Sequence, residues 1–320
     1  MGVVRRRALM KSLIEVKNLE KSYKNKQVIH GISFSIYQGE ILCLLGPNGA
    51  SKSTTINILC GALGFDRGEV TCKGDPIDQN LQAFKQQLGV VPQDLALYED
   101  LTAEKNVQFF ASLYGLKGKE LEAGVTFALN SVGLTSHRKE KVATFSGGMK
   151  RRLNIACAIA HRPALLIMDE PTVGIDPQSR NHILTSIKNM QLKGMTVLYT
   201  THYMEEVEEI SSRIIIMDHG RIIAEGTKEA LKEKNDERKI TIEISDSNDI
   251  SLDTFYQIEG VKEVTLNKDE LRITSIKGIE NLDHIIGKLI SLQQKIQNVF
   301  VQEANLETIF LDLTGRSLRD

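Results

Sequence analysis

The chain has 320 residues, and its 40 basic and 41 acidic side chains leave a formal net charge of −1. A chain of this length exceeds one typical domain and favours one large domain with a smaller one. The balanced charge excludes the basic surplus of a nucleic-acid-binding protein, and no apolar run approaches the ~20 residues that cross a bilayer, so we expect no nucleic-acid partner and no membrane span.

The N-terminal segment, residues 1–11, contains three consecutive arginines from Arg5 and is expected to be a solvated extension. The next apolar stretches predict a short strand over 13–16 and an antiparallel strand over 28–36. Tyr23 would lie in the turn region after the first strand. Its ring could stack on a purine, but a lone aromatic residue more often simply packs against the protein, so the residue alone favours packing.

A glycine-rich loop follows the apolar run Ile41–Leu45, which predicts a buried strand, and the loop precedes a predicted helix. This context is typical of phosphate-binding loops, where glycines let the backbone and the helix N-terminus approach an oxyanion. We expect Lys52 to contact the β- and γ-phosphates, Ser53 to bind Mg²⁺ and Thr54 to bond a neighbouring phosphate oxygen. The residues predicted here to bind the nucleotide are Gly46, Pro47, Asn48, Gly49, Ala50, Ser51, Lys52, Ser53 and Thr54.

Ser51 departs from the usual pattern G-x-x-x-x-G-K-[ST], because that pattern has glycine immediately before the lysine. A Cβ at this position could crowd the phosphates or strain the loop, and so weaken nucleotide handling. A small serine could equally fit and add a hydroxyl contact. The sequence leaves both alternatives open.

Gln93 follows a predicted strand over 88–91 and would therefore lie at the carboxyl end of a strand, beside the phosphate-binding loop. Its amide could contact Mg²⁺ or a water molecule, or it could be an ordinary loop residue. An earlier strand is predicted over 68–73, and apolar residues at helical spacing predict helices over 102–116 and 121–132. These helices form an insert between Gln93 and the next informative stretch.

Ser146, Gly147 and Gly148 precede a helix that the pattern predicts over 150–160. Backbone N–H groups at a helix N-terminus would make a second anion-binding site. The alternative is that the serine merely caps the helix.

Two carboxylates, Asp169 and Glu170, follow the buried strand that is predicted over 164–168. At the carboxyl end of a core strand they would face whatever the phosphate-binding loop holds. We expect Asp169 to hold Mg²⁺ directly or through water, and Glu170 to orient and deprotonate an attacking water molecule. The alternative is a strand end whose two acids are merely solvated.

His202 follows another buried strand, predicted over 196–201, and its imidazole could reach a γ-phosphate. Most single histidines have no such role. A hairpin over 214–217 and 221–224, and a short helix that ends at Lys234, complete the first predicted domain.

These motifs resemble the nucleotide-binding domain of the ATP-binding cassette (ABC) family, and they follow one another in the family's order within residues 12–234. The resemblance implies an α/β fold with a P-loop NTPase core, an antiparallel β subdomain and a helical subdomain. Tyr23 corresponds to the adenine-stacking aromatic residue, which reverses the preference for simple packing. The other correspondences are Gly46–Thr54 with Walker A, Gln93 with the Q-loop, Phe145–Met149 with the signature, Leu165–Glu170 with Walker B, Val173–Asp176 with the D-loop and His202 with the switch histidine.

The resemblance also implies a mechanism in which ATP and Mg²⁺ bind between two copies of the chain arranged head to tail. Ser146 and Gly148 of one copy would contact the γ-phosphate that Lys52 holds on the other copy. A separate transmembrane permease would be the second partner, and the subunit would lie in the cytoplasm at the inner face of the membrane. The resemblance implies catalytic roles for Lys52, Glu170 and His202, magnesium binding by Ser53, Gln93 and Asp169, and nucleotide contacts from Ser146, Gly147, Gly148 and Asp176.

Met149 lies where many members of the family have glutamine. A methionine at this position resembles the drug- and antibiotic-export branch of the family. We therefore expect an ATPase that powers efflux of a drug-like, antibiotic or lipid-like substrate. An importer ATPase is one alternative, and a nucleotide-binding regulator with weak hydrolysis because of Ser51 is another. The loop 94–101 is a candidate docking region for the permease, although its apolar residues could equally pack within the protein.

The tail, residues 235–320, is expected to be a separate accessory domain. Its pattern predicts a strand over 239–244, a short helix over 252–258, strands over 261–266 and 271–275, a helix over 279–294, a strand over 298–302 and a helix over 306–313. The order β-α-β-β-α-β suggests a small α+β, ferredoxin-like layer. Its polar residues show no catalytic pattern.

Overall fold

The computed structural model describes residues 11–234, 237–245, 250–303 and 305–315. These residues form two compact units, one extending to Lys228 and the other spanning Glu229–Gly315. The predicted N-terminal extension lies almost entirely outside the described residues, and the predicted domain boundaries at residues 12 and 235 stay predictions. In the part of the chain that the structure covers, no helix is both long and apolar enough to cross a membrane.

Two sheets form the framework of the first unit. Its strands are β1 (Ser12–Tyr23), β2 (Lys26–Tyr37), β3 (Ile41–Leu45), β4 (Arg67–Cys72), β5 (Asp75–Pro76), β6 (Leu88–Val91), β7 (Leu165–Asp169), β8 (Thr196–Thr200), β9 (Arg213–Asp218) and β10 (Arg221–Gly226). Five parallel strands and the antiparallel β10 form the central sheet in the order β10-β9-β3-β8-β7-β6. All residues of β3 and β8 are buried, which explains the unbroken apolar sequence of β3 and the apolar centre of β8.

The second sheet of this unit is antiparallel and has the order β2-β1-β4-β5. Strand β1 is much longer than the predicted 13–16, and Tyr23 is its last residue, paired with Lys26 across a tight turn. The prediction that Tyr23 follows the strand in a turn region was therefore wrong. Irregular register within β1 breaks the regular alternation of apolar residues, so the sequence showed only the first part of the strand.

Helices pack around these two sheets. They are α1 (Lys52–Leu59), α2 (Leu81–Lys85), α3 (Ala103–Leu113), α4 (Gly118–Ser131), α5 (Gly147–Ile159), α6 (Pro177–Leu192) and α7 (Met204–Ile210), with 3-10 turns at Thr135–His137 and Val142–Thr144. Helix α8 (Lys228–Lys234) follows β10 in the chain and belongs to the second unit from Glu229 on. The predicted insert corresponds to α3 and α4, which pack against each other and against α5. Helix α5 begins at Gly147 rather than at the predicted residue 150, because Ser146 caps it and the glycines form its first turn.

The second unit is a four-stranded antiparallel sheet with helices. Its elements are β11 (Glu237–Ile244), β12 (Val261–Asn267), β13 (Glu270–Ile276), α9 (Leu282–Ser291), β14 (Ile296–Glu303) and α10 (Leu306–Thr314). The strand order β12-β13-β11-β14 is compatible with the ferredoxin-like arrangement. The predicted helix over 252–258 was wrong, since only Leu252–Thr254 is helical and forms a single 3-10 turn. Leu252, Phe255 and Ile258 are spaced by three residues, which suits 3-10 and turn structure better than an α-helix.

Candidate nucleotide-binding site

Lys52 lies at the centre of the glycine-rich loop between β3 and α1. It is 7% exposed, and its Nζ donates hydrogen bonds to the carbonyl oxygens of Gly46 and Pro47 at 2.6 and 3.2 Å. Burial lowers the pKa of the Lys52 amine, while the charges of Glu170 and Asp169 act in the opposite direction. The loop therefore holds a cation close to the carboxylates of Asp169, the last residue of β7, and Glu170, the residue after it.

Gly46 is required by its close contact with the neighbouring strand. A Cβ at this position would lie 2.4 Å from the carbonyl oxygen of Met217 on β9, so any side chain would force the loop away from the sheet. Further along the loop, Asn48 and Gly49 are exposed while Ala50 is buried. The exposed backbone at this point leaves N–H groups accessible to an anion, as in other loops that bind phosphate.

Ser51 has a left-handed backbone conformation, with φ 76° and ψ 22°. Glycine adopts this conformation at no steric cost, which explains why the usual pattern has glycine here. The Ser51 hydroxyl donates a hydrogen bond of 2.7 Å to the carbonyl oxygen of Val28 on β2. The side chain therefore makes an additional contact, and this contact joins the loop to the strand that pairs with β1.

Asp169 and Glu170 are both positioned by one threonine of β8. The Thr200 hydroxyl donates to Asp169 Oδ1 at 2.7 Å and accepts the backbone N–H of Glu170 at 3.0 Å. Glu170 has a φ of 47°, a left-handed conformation that is found mainly where the surroundings impose it, as at functional sites. Thr200 thus fixes the direction in which the chain, and with it the Glu170 side chain, leaves the strand.

The carboxylate of Glu170 lies beside the imidazole of His202. Glu170 Oε2 and His202 Nδ1 are 3.3 Å apart, and the two side chains are 17% and 25% exposed. A carboxylate at this distance can orient the imidazole and can also accept a proton from water. The structure therefore brings together three side chains that the sequence predicts to be catalytic, namely Lys52, Glu170 and His202.

Asp176 caps helix α6 at the end of the loop that follows Glu170. Its Oδ1 accepts the backbone N–H of Ser179 at 2.9 Å, and this hydrogen bond lowers the pKa of the Asp176 carboxyl. The cap fixes the loop end on which Asp176 lies. Its predicted contact with a nucleotide stays a prediction.

Ser146 caps helix α5 and accepts the backbone N–H of Met149 at 3.3 Å. Ser146 and Gly147 are exposed, whereas Gly148 is buried against α6. A Cβ on Gly148 would lie 2.1 Å from the Ser179 hydroxyl. The open helix N-terminus can bind an anion, and the glycine allows it to pack closely on the helix that Asp176 caps.

Gln93 is exposed in the loop after β6. Arg151 of α5 donates to the carbonyl oxygens of Pro92 and Gln93 at 2.9 and 2.6 Å. The backbone of this loop is therefore held by the helix that begins at Ser146. Among the described residues, no hydrogen bond of the Gln93 amide connects it to Asp169 or Ser53, so its contact with Mg²⁺ stays a prediction.

Tyr23 lies on the β1–β2 hairpin and is 47% exposed, with Lys21 Nζ 6.0 Å from the centre of its ring. An exposed aromatic face is available for stacking on a base. The hydrogen bond from Ser51 to Val28 connects the same hairpin to the phosphate-binding loop.

Comparisons with known proteins assign the chain to a family. The sequence profile of the ABC transporter family matches residues 29–173. The linearmycin resistance ATP-binding protein LnrL of Bacillus subtilis is 46% identical over 320 residues, covering 96% of this chain and 100% of that protein. The chain belongs to the ABC transporter family. A Nod factor export ATP-binding protein I, from Burkholderia lata, is 35% identical over 316 residues and covers 96% of this chain and 98% of that protein.

Solved structures of ABC ATPases agree with this assignment. The ATP-binding subunit of an ABC transporter superposes with a TM-score of 0.63 at 32% identity, over 70% of this chain and 93% of that one. CbiO1 from Clostridium perfringens, part of the ABC transporter complex cbiONQ, gives a TM-score of 0.66 at 29% identity, over 70% and 92%. The chain thus has the predicted P-loop NTPase fold, and it is an ATP-binding protein of the transport ATPases.

Sequence reasoning did not find several residues that support the candidate site. Thr200 was predicted only as part of a buried strand, and Arg151 was predicted only as part of a helix. Glu206 is completely buried next to the site, although it belongs to an acidic stretch that is typical of an exposed helix. The apolar residues Val207 and Ile210 at helical spacing were the available signal, because they place Glu206 on the buried face of α7.

Proposed function

We propose that the chain is the ATP-hydrolysing subunit of an ABC exporter that expels a drug-like, antibiotic or lipid-like substrate through a separate permease. The similarity to proteins named for linearmycin resistance and for Nod factor export, over nearly the whole chain, supports export. The importer alternative is not favoured, since these relatives match the second unit as well as the first.

The observation that carries hydrolysis is the Glu170–His202 pair, 3.3 Å apart and close to Lys52. In this proposal Lys52 leaves its loop carbonyls to contact the β- and γ-phosphates. Glu170 orients and deprotonates the attacking water molecule, while His202 contacts the γ-phosphate. A regulator that only binds ATP would not need this carboxylate–imidazole pair.

The oxygen ligands that Mg²⁺ prefers are present next to Lys52. Ser53 is exposed, so its hydroxyl oxygen fits the ion. Asp169 accepts the Thr200 hydroxyl through Oδ1, and the second oxygen of its carboxylate fits the ion. Ser53 and Asp169, together with Gln93, would hold Mg²⁺. The ion would neutralise charge on the phosphates.

Two copies of the chain would close head to tail around ATP. The open helix N-terminus at Ser146 and Gly148 supports this arrangement, because it is an anion site with no anionic side chain in its first turn. In the closed dimer these residues contact the γ-phosphate bound by the other copy. Tyr23 would stack on the adenine, and Asp176 would lie near the nucleotide of its own or the partner copy.

The permease would dock beside the loop of Gln93. Leu95 and Tyr98 are 43% and 49% exposed, so they are available to a partner, whereas Leu97 and Leu101 are partly buried. The buried Asn106 amide fixes the backbone of Tyr98 through two hydrogen bonds. These bonds fix the backbone of the loop, and the Tyr98 ring also packs edge-to-face against Phe109, with 5.0 Å between centroids.

Phe110, whose ring lies 6.2 Å from that of Tyr98 between centroids, also lines an apolar cleft of about 730 Å³. Its lining includes Cys60, Leu81, Leu88, Phe110, Leu113 and Tyr114. A helical segment of the permease with apolar side chains would fit it, which would place the subunit in the cytoplasm at the inner face of the membrane.

Tyr98→Arg should then abolish stimulation of the ATPase by the permease and leave the basal rate unchanged.

The dimer is tested with Glu170→Gln, which should bind ATP without splitting it. With Mg-ATP this variant should elute from size exclusion as a dimer, and the double variant with Ser146→Arg should bind ATP but elute as a monomer. A dimer that persists in the double variant would contradict the head-to-tail arrangement.

A further inference from the structure

The carboxylate of Glu206 lies in a buried cluster next to the candidate site. The residue is 0% exposed. The hydroxyl of Thr172 donates to its Oε1 at 2.6 Å, and the hydroxyls of Tyr199 and Thr201 donate to its Oε2 at 2.9 and 2.6 Å. Arg180 Nε lies 3.4 Å from Oε1. The charge is therefore both hydrogen-bonded and paired, which is the condition under which a buried carboxylate is tolerated.

The partners of Glu206 come from segments that carry the predicted site residues. Thr172 lies in the loop directly after Glu170, and Thr201 immediately precedes His202. Arg180 lies in the first turns of α6, the helix that Asp176 caps. One carboxylate thus connects the loop after Glu170, the segment that carries His202, and helix α6, which begins at the D-loop.

A second layer of contacts reaches the imidazole itself. The Thr201 hydroxyl accepts the backbone N–H of Tyr203 at 3.0 Å. The Tyr203 ring lies 4.3 Å from the His202 ring, between centroids, and 4.4 Å from the guanidinium carbon of Arg180. His202 is therefore flanked by a ring whose backbone and neighbouring cation are both held through Glu206.

The chemistry of the cluster keeps its hydrogen bonds directed toward Glu206. Burial raises the pKa of the Tyr199 phenol well above its ordinary value, and the negative charge of Glu206 adds to this effect. The phenol consequently remains a donor at any physiological pH. An amide in place of the carboxylate could accept at only one of its two atoms and would leave Arg180 without its counter-charge.

We propose that Glu206 is a positioning residue for ATP hydrolysis, which acts through His202 and the D-loop without touching the nucleotide. This inference rests on the proposed roles of Glu170 and His202. Because the phosphate-binding loop is not part of the cluster, loss of Glu206 should slow turnover and leave ATP binding intact. A residue needed only for folding would instead reduce the fraction of folded protein without changing the turnover of each folded molecule.

The test is the steady-state Mg-ATPase of the full-length chain. Glu206→Gln should lower kcat on the order of 10- to 100-fold, the effect of a small displacement of reacting groups, with KM for ATP within about 2-fold of wild type. The matched control is Glu205→Gln, an exposed neighbour on the same helix, which should behave as wild type. An unchanged kcat for Glu206→Gln, or a rise confined to KM, would overturn the proposal.

A double variant tests whether Glu206 acts through His202. If it does, the losses in Glu206→Gln and His202→Ala should not multiply in the double variant; fully multiplicative losses would overturn this route. Thr172→Val provides a milder change, since it removes one hydroxyl donor at nearly constant volume. It should also lower kcat at constant KM, and it decides the question if Glu206→Gln does not fold.

Glu170→Gln separates failure of this inference from failure of the proposed function. If Glu170→Gln abolishes hydrolysis while Glu206→Gln and Thr172→Val retain the wild-type kcat, only the role of Glu206 is wrong. If Glu170→Gln hydrolyses ATP at the wild-type rate, the proposed function is itself wrong, and the role of Glu206 is refuted with it.

Discussion

Replacing Ser51 with alanine or glycine separates two opposing effects on the phosphate-binding loop. The left-handed backbone of Ser51, with φ 76°, costs a residue with a Cβ about 1 kcal/mol relative to glycine. The hydroxyl bond to Val28 O at 2.7 Å contributes about 1 kcal/mol in return. Ser51→Ala keeps the backbone cost and loses the bond, so its free energy of unfolding should be about 1 kcal/mol lower than that of wild type. Ser51→Gly removes both the cost and the bond, so its free energy of unfolding should be close to the wild-type value.

Urea denaturation of the full-length chain measures these differences, and ATP titration measures the effect on the site. We expect Ser51→Gly to bind ATP with wild-type affinity, because the loop conformation is the one that glycine adopts. Ser131→Ala is a suitable control, since that hydroxyl bonds to Phe127 O within its own helix. A Ser51→Ala variant as stable as wild type would refute the role of the Val28 bond. A tighter ATP affinity in Ser51→Gly would instead show that the side chain hinders the nucleotide.

Two further predictions concern packing and pH. Gly148→Ala should destabilise the protein by about 1–3 kcal/mol, because its Cβ would lie 2.1 Å from the Ser179 hydroxyl, whereas Gly147→Ala has open space and should not; equal stabilities in urea would contradict this. Burial lowers the pKa of His161, while the hydrogen bond between its Nε2 and the Leu88 carbonyl oxygen acts in the opposite direction and is the smaller effect, so the fold favours the neutral ring. Its contribution to stability is therefore complete above the unfolded pKa of about 6.5 and is lost as pH falls toward the folded value. His161→Phe should flatten the dependence of unfolding free energy on pH in that window, and an unchanged slope would refute this role.

The sequence predicted the strands and loops of the ATPase unit because their signals are local. Apolar runs such as Ile41–Leu45 are bounded by glycines or carboxylates, and each run delivers a polar residue at its end. Since the ends of parallel strands meet at one edge of the sheet, the order of the motifs was enough to bring Lys52, Glu170 and His202 together. Local signals also predicted the antiparallel strands of the second unit, where apolar and polar residues alternate clearly.

What the sequence did not reveal depends on contacts between distant segments. Nothing near Ser51 indicates that its hydroxyl meets Val28, because the bond joins the phosphate-binding loop to a strand of the other sheet. Thr200 reads as part of an apolar strand, and its role with Asp169 appears only once β7 and β8 are paired. The length of β1 was missed because its register is irregular. The helix predicted over 252–258 was wrong because Leu252, Phe255 and Ile258 recur at every third residue, which suits the 3-10 turn that forms there.

The central claim is that Glu170 activates water for ATP hydrolysis, and the Mg-ATPase of Glu170→Gln tests it most directly. The wild-type chain should hydrolyse ATP, and the variant should bind ATP with similar affinity while its kcat falls on the order of 100-fold or more. Turnover by Glu170→Gln at the wild-type rate would contradict the account.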